Sequence, residues 1–291
     1  MSRAPWDADH KVTPEQFSRV LERRFPEFER PDVVALRHGW DYLTFRVDGD
    51  WVFKVPKRAS VVSRMRQEVS LLTALPAMPA AVPRPAFHGV AADDMPYPFF
   101  GYPWLEGIVA SSPGVDRRAV IHAATGFLDA LHSIVPPFAV EGWPDGTWEQ
   151  RVGRLHRVRD QVPSLRPSLE WLARNEPVGG RKTLLHDDLG PEHLLLHPET
   201  RELVAVLDWA DASRGDPARD MIGLLLWEPV LTAEVHVERG GDDASLRRAR
   251  AHALLKGLQT LEDHLRWAPD AVPAWTETLL ALQGTVPGLG D

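Results

Sequence analysis

Hydrophobic positions along the chain switch between two periods. From Thr13, "TPEQFSRVLERRF" puts Phe17, Val20 and Leu21 on one stripe at helical spacing. Thr13 and Gln16 fit a capping box, and Pro14 occupies the first helical position. The period then becomes two. Leu43, Phe45 and Val47 alternate with polar residues, Asp48-Gly49 marks a hairpin turn, and Trp51, Phe53 and Val55 resume the alternation. Lys54 therefore faces away from Phe53 and Val55. Over 59–75 helical spacing returns, with Met65, Leu72 and Leu75 on one stripe and Glu68 on the same stripe. A carboxylate on a core-facing stripe is costly unless it is paired.

The Pro-rich stretch "PAMPAAVPRP" reads as an extended connector. "PYPFFGYPWLEG", 96–107, reads as a strand running into a Gly-marked break, which places a boundary between residues 1–103 and 104–291. Beyond it helix dominates. Val120, Ile121, Ala124, Phe127, Leu128 and Leu131 repeat at 3.6 residues, and 246–267 forms a second long helix. Short strands are expected at Thr183–Leu185, Leu194–Leu196 and Val204–Leu207, with "HPETRE" turning between the last two. "DPARDMIGLLLW" opens a helix with Asp216 as N-cap and Pro217 behind it. The expected architecture is α+β: a small N-terminal lobe and a larger helical one, joined by one crossing segment.

Composition removes several classes. The 291 residues are 44% hydrophobic and 25% charged, which is ordinary for a globular protein. No apolar run approaches the roughly 18 residues a membrane span needs. The N-terminal stretch lacks an apolar signal core, so a cytoplasmic protein is expected. Zero Cys excludes disulfides, thiolate metal sites and a Cys nucleophile. A net charge of −8 argues against a nucleic-acid partner and is compatible with a cationic ligand.

The densest chemistry lies in "LLHDDLGPEHLLLH", 184–197, where charge is bracketed by apolar strands. Lys54 in a strand, Glu68 on an apolar stripe, Asp188, and Asp208 at another strand end share one explanation, phosphoryl transfer from a nucleotide. That chemistry needs a Lys at the donor phosphates, a Glu to fix it, an Asp at the acceptor hydroxyl and an Asp for Mg²⁺. The order Lys, Glu, His-x-Asp, Asp is that of the protein-kinase signature set.

On "HDDLGPEHLLL", "VAVLDWADASRGDPARDM" and "PYPFFGY…LEG", the chain resembles the aminoglycoside phosphotransferases, most closely the 2''-phosphotransferases, with the macrolide phosphotransferases next. The resemblance implies a two-lobed protein-kinase-like fold, with a small antiparallel-sheet lobe and a larger, mainly helical lobe. It implies ATP or GTP and Mg²⁺ as cofactors, and a γ-phosphate passed to an aminoglycoside hydroxyl. Lys54 would contact the phosphates and Glu68 would hold it. Asp188 would be the catalytic Asp that accepts or orients the substrate hydroxyl proton, Asp208 the Mg²⁺ ligand, and Asp220 a brace on the catalytic loop. Pro103, Trp104, Leu105 and Glu106 would form the hinge that reads the base. "RHGWDY", 37–42, with Gly39 alone, would stand in for the phosphate-covering loop. His193 takes the place of the commoner metal-binding Asn. Mg²⁺ prefers oxygen, so His193 is a weak ligand or positions a phosphate or water. His186 is expected to be structural, and Asp187 a solvated loop residue.

A polycationic acceptor needs carboxylates. Asp211, Glu228, Glu262 and Asp263 are the candidates, with Trp227 or Trp267 as stacking surfaces. A macrolide pocket would be larger and more apolar. A metabolite kinase and a non-catalytic kinase-like binding protein are the remaining alternatives, and a monomer is expected. "VGGRKT" lacks the Gly-Lys pair of a Walker loop, and the spacing of His186, His193 and His197 fits no common zinc motif.

Overall fold

The computed structural model describes residues 6–36, 39–142 and 146–289. Contacts divide the chain into two units: Met1–Ala77 with Ala81–Glu106, and Met78–Ala80 with Gly107–Asp291.

The first unit opens with helix α1 (Pro14–Arg24). Its capping box closes as the sequence implies: Thr13 N donates to Gln16 Oε1 at 2.8 Å, and Gln16 N to Thr13 Oγ1 at 3.2 Å. Five strands follow: β1 (Val33–Ala35), β2 (Tyr42–Val47), β3 (Trp51–Pro56), β4 (Phe87–Gly89) and β5 (Phe99–Pro103). They pair antiparallel in the order β1-β2-β3-β5-β4. The β2–β3 hairpin turns on Asp48 at φ 51° and Gly49 at φ 76°, so the Asp-Gly signal was read correctly. That turn fixes Val47 opposite Trp51 and places Lys54 between Thr44 and Phe100. Phe17 of α1 packs on the sheet against Phe45, Phe53 and Phe99, all buried. Helix α2 (Val62–Ala74) starts after a 3₁₀ turn at Ala59–Val61, because no side chain caps its first amides.

In the second unit, Asp116 caps α3 (Arg117–His132), which buries all six residues of its expected stripe. Strands β6 (Ile108–Val109), β8 (Leu194–Leu196) and β9 (Leu203–Val206) form one antiparallel sheet. Strand β7 (Thr183–Leu185) pairs with β10 (Ser213–Gly215). β7 and β8 fall where the apolar triplets put them, and β9 starts one residue early. The remaining helices are α4 (Trp148–Gly153), α5 (His156–Gln161), α6 (Arg166–Arg174), α7 (Ile222–Trp227), α8 (Pro229–Glu238), α9 (Asp243–Trp267) and α10 (Val272–Gln283). Helix α9 supplies the core with Leu254, Leu255, Leu258 and Leu261. It starts three residues before the expected 246, because Asp242 accepts from Ser245 N at 2.7 Å.

"DPARDM" departs from expectation. Asp216 caps a 3₁₀ turn, Pro217–Met221, and the α-helix begins only at Ile222. Helix α7 is also short. Glu228 precedes Pro229, and a residue before proline is pushed out of the helical region, here to φ −140° and ψ 77°. Among the described residues, no helix is long and apolar enough to cross a membrane.

Candidate active site

The pleat of β3 sends Lys54 away from the Phe53 side of the sheet, toward α2. There Lys54 Nζ donates to Glu68 Oε1 at 2.6 Å, with side-chain exposures of 7% and 1%. So low an exposure makes this a buried pair, where losing one partner is far costlier than at the surface. Tyr42 completes it. Its hydroxyl donates to Glu68 Oε2 at 2.8 Å, and its ring lies 4.1 Å from Nζ. The apolar-stripe carboxylate thus has its partner.

At the end of β5, Trp104 N donates to Asp50 O at 2.7 Å, and the Arg46 guanidinium lies 3.8 Å over the Trp104 ring. Pro103 and Glu106 are exposed and Leu105 is half-buried. Gly39 O accepts from Lys57 Nζ at 2.6 Å. Arg37 and His38, the first two residues of the expected phosphate loop, lie outside the described residues.

In the second unit, the loop between β7 and β8 is held from below by one carboxylate. Asp220, fully buried, accepts from Asp187 N at 2.6 Å, from His186 N at 3.2 Å and pairs with His132 Nε2 at 2.8 Å. His186 is also fully buried. Its Nε2 meets Leu207 O at 2.9 Å, and its ring packs edge-on against Trp209. Facing a carbonyl, Nε2 carries the proton, and burial lowers the imidazole's pKa, so His186 stays neutral. Leu207 N in turn donates to His193 O at 2.8 Å, which ties the Asp208 segment to the loop on both sides.

Asp187 corrects the sequence reading. It is not solvated: its side chain is 5% exposed, and Oδ2 accepts from Ser213 Oγ at 2.7 Å and Arg219 Nη2 at 2.6 Å. Burial pushes its carboxyl up to about 7, against the pull of Arg219. Its backbone is left-handed at φ 66°, as is that of Asp208 at φ 58°.

Asp188 and His193 meet, with Oδ2 and Nε2 3.3 Å apart. Burial alone would lower the His193 pKa. The bond to Asp188, with the charges of Asp208, Asp188 and Glu192, overrides it and lifts the imidazole to about 9. Mg²⁺ prefers oxygen ligands, which suits the Asp208 carboxylate better than the His193 imidazole. Among the described residues, no group of three or more His, Asp or Glu is arranged to hold a metal ion.

The expected acceptor-binding residues scatter. Glu262 accepts from Arg157 N, Val158 N and Arg157 Nη1 at 3.2, 3.0 and 3.0 Å, which caps α5. Glu228 is paired with Arg117, which also lies over the Trp227 ring. Asp263, beside Glu262, has its pKa raised by burial. Arg266 covers Trp267 at 4.4 Å. Asp211 lines a cavity with Asp187 and Arg219.

Sequence reading missed Ser213, Arg219, His132 and Gly223. Gly223, in α7, is the one with a local signal, a glycine inside an apolar helical run. A Cβ there would sit 2.3 Å from Leu189 O, so only glycine lets α7 approach the loop backbone.

A small antiparallel-sheet unit with a buried Lys–Glu pair, and a helical unit with a braced His-x-Asp loop, define a kinase-like fold. The fold of a GDP complex of wild-type aminoglycoside 2'-phosphotransferase-IIIa superposes with a TM-score of 0.75 at 23% identity, over 93% of this chain and 98% of that one. Macrolide 2'-phosphotransferase type I gives 0.61 at 20% identity, over 95% and 98%. The chain belongs to the phosphotransferase enzyme family, whose sequence model matches residues 32–263. Acyl-CoA dehydrogenase family member 10 of Mus musculus is 27% identical over 203 residues, 64% of this chain and 18% of that protein. Family member 11 of Rattus norvegicus is 25% identical over 182 residues, 56% and 23%. The chain spans about a fifth of the length of these curated relatives.

Proposed function

We propose that the protein transfers the γ-phosphoryl group of ATP or GTP to a hydroxyl of a small molecule. The observation that carries this reading is the braced loop: two backbone amides on one buried carboxylate hold Asp188 between His186 and His193. Lys54, kept charged and oriented by Glu68, would take the donor phosphates. Asp208 would hold Mg²⁺, which when bound supplies charge neutralisation at the phosphates. Asp188 would orient the acceptor hydroxyl and take its proton as the oxygen bonds to the γ-phosphorus. The bond from that phosphorus to the bridging oxygen breaks, and the nucleoside diphosphate leaves. His193, cationic beside Asp188, would turn that carboxylate and balance its charge.

The fold likeness to aminoglycoside and macrolide phosphotransferases supports an antibiotic hydroxyl as the acceptor, an aminoglycoside first. Two of the four carboxylates expected to meet its ammonium groups, Glu228 and Glu262, are already engaged by Arg117 and Arg157. Macrolides, with one amine, need fewer acids. The test is a panel of aminoglycosides, macrolides and hydroxylated metabolites, each with ATP and with GTP, comparing wild type with Asp188→Ala. Transfer abolished in the variant is expected. Transfer that survives Asp188→Ala overturns the catalytic assignment.

A further inference from the structure

The cavity shared by Asp187 and Asp211 has a volume of about 80 Å³, and its walls carry three cationic side chains beside the two carboxylates. Arg151 comes from α4, and His252 and Lys256 come from one face of α9, four residues apart. Arg219 comes from the 3₁₀ turn before α7. Three cations face two carboxylates, and Asp187 is already bonded to Arg219 and Ser213 through Oδ2. The positive surroundings register on His252. Its pKa falls to about 4, first through burial and then through Arg219, with Arg151 and Arg248 acting the same way against Asp216.

Two polar atoms on these walls are buried without a hydrogen-bond partner: Asp187 Oδ1, and His252 Nε2, whose approach to Asp216 Oδ2 is 4.0 Å. Such atoms call for a polar occupant. At ~30 Å³ per water, the space suits a few waters or one oxyanion. An ammonium group would meet three like charges here against two carboxylates, one of them already bonded to Arg219. Asp187, on the cavity wall, is the chain neighbour of Asp188, with consecutive Cα atoms ~3.8 Å apart.

We propose that this cavity is the subsite for an anionic group, a carboxylate or a phosphate, carried by the hydroxylated acceptor. Arg151 and Lys256 bind the anion, neutral His252 donates from Nε2, and a ligand O–H satisfies Asp187 Oδ1. The acceptor class is then a hydroxy acid or a sugar phosphate rather than a polyamine. The proposal rests on hydroxyl phosphorylation by this chain, and it sets an anionic acceptor in place of the aminoglycoside that fold likeness alone suggests.

Two arms test it. In the first, acceptors are assayed in sets differing at one position: glucose, gluconate and glucose 6-phosphate, beside kanamycin. One anionic member should lead its neutral counterpart in kcat/KM. Lys256→Met, at an exposed position, should reduce that preference about 2- to 5-fold through KM, the scale of one exposed charge contact. Gluconate and glucose 6-phosphate separate the carboxylate from the phosphate source. In the second arm, inorganic phosphate is titrated into Asp188→Ala protein saturated with a non-hydrolysable ATP analogue. One saturable site is expected, weakened by Lys256→Met and by Arg151→Gln. Kanamycin or a neutral sugar as the better acceptor, with no effect of Lys256→Met, overturns the proposal, as does absence of phosphate binding. Binding without any transfer would sustain the subsite and sink the function reading, so the two failures are distinct.

Discussion

Replacing Asp220 by Asn tests whether the loop is held or merely sits. The substitution keeps shape and removes charge. It leaves one amide oxygen to serve two backbone N–H groups and His132, and turns an NH₂ toward one of those donors. Hydrogen bonds to a charged group contribute about 1.5–3 kcal/mol each, and they do not add within one network. A fully buried site with three contacts therefore implies a loss of about 3–4 kcal/mol, the range for breaking a buried charged network. For a unit of this size that corresponds to a fall in Tm of roughly 10 °C. Asp187 stands at φ 66° with its amide bonded to Asp220, so weakening that bond should let the loop relax and carry Asp188 with it. Misplacement of a reacting group by about 1 Å costs ~10²-fold in kcat. Urea and thermal unfolding give the stability arm, and transfer kinetics with separate kcat and KM give the other. A loss under about 1 kcal/mol with kcat within about twofold of wild type would show that water or other acceptors serve those amides equally well, and the brace argument would fail.

Four further perturbations follow from the geometry. Glu68→Gln strips the buried Lys54 of its counter-charge; a destabilisation of about 3–5 kcal/mol and a raised KM for nucleotide are expected, measured by urea unfolding and initial rates. Tyr42→Phe, which removes only the hydroxyl donor to Glu68, should cost about 1 kcal/mol in the same unfolding assay. Gly223→Ala drives a Cβ into Leu189 O, so transfer should drop while secondary structure, followed by circular dichroism, stays near wild type. His252 has a depressed pKa, so its stabilising contribution is present above its ordinary value of 6.5 and is lost as pH falls through about 4. The wild type should therefore lose about 3 kcal/mol more than His252→Gln between pH 7 and pH 4, and equal slopes for the two would refute the assignment.

What the sequence disclosed depended on how local the physics was. The α1 capping box, the Asp-Gly hairpin and the α3 stripe are set within a few residues, and each was readable. Glu68 was readable as well, because a charge on an apolar stripe demands a partner and Lys54 was the cation on the facing strand. Asp187 was misread because its partners, Ser213 and Arg219, lie 26 and 32 positions away and no short-range pattern announces them. Glu262 looked like a free acid on a helix surface. Its partners are the first amides of α5, about a hundred residues upstream, and backbone donors leave no trace in side-chain pattern. The basic cavity was invisible for the same reason, since it is assembled from α4, α9 and two loops.

Two of the five described non-glycine residues with positive φ are Asp187 and Asp208. Aspartate tolerates that conformation better than most residues, and glycine tolerates it better still. At position 187 that ease is outweighed, because glycine would forfeit the buried bonds to Ser213 and Arg219. Copies of this chain released from phosphoryl transfer should therefore keep Asp187 for packing and be freer to lose Asp208. An aspartate retained at position 208 in a genome's paralogue would mark the copy that still works.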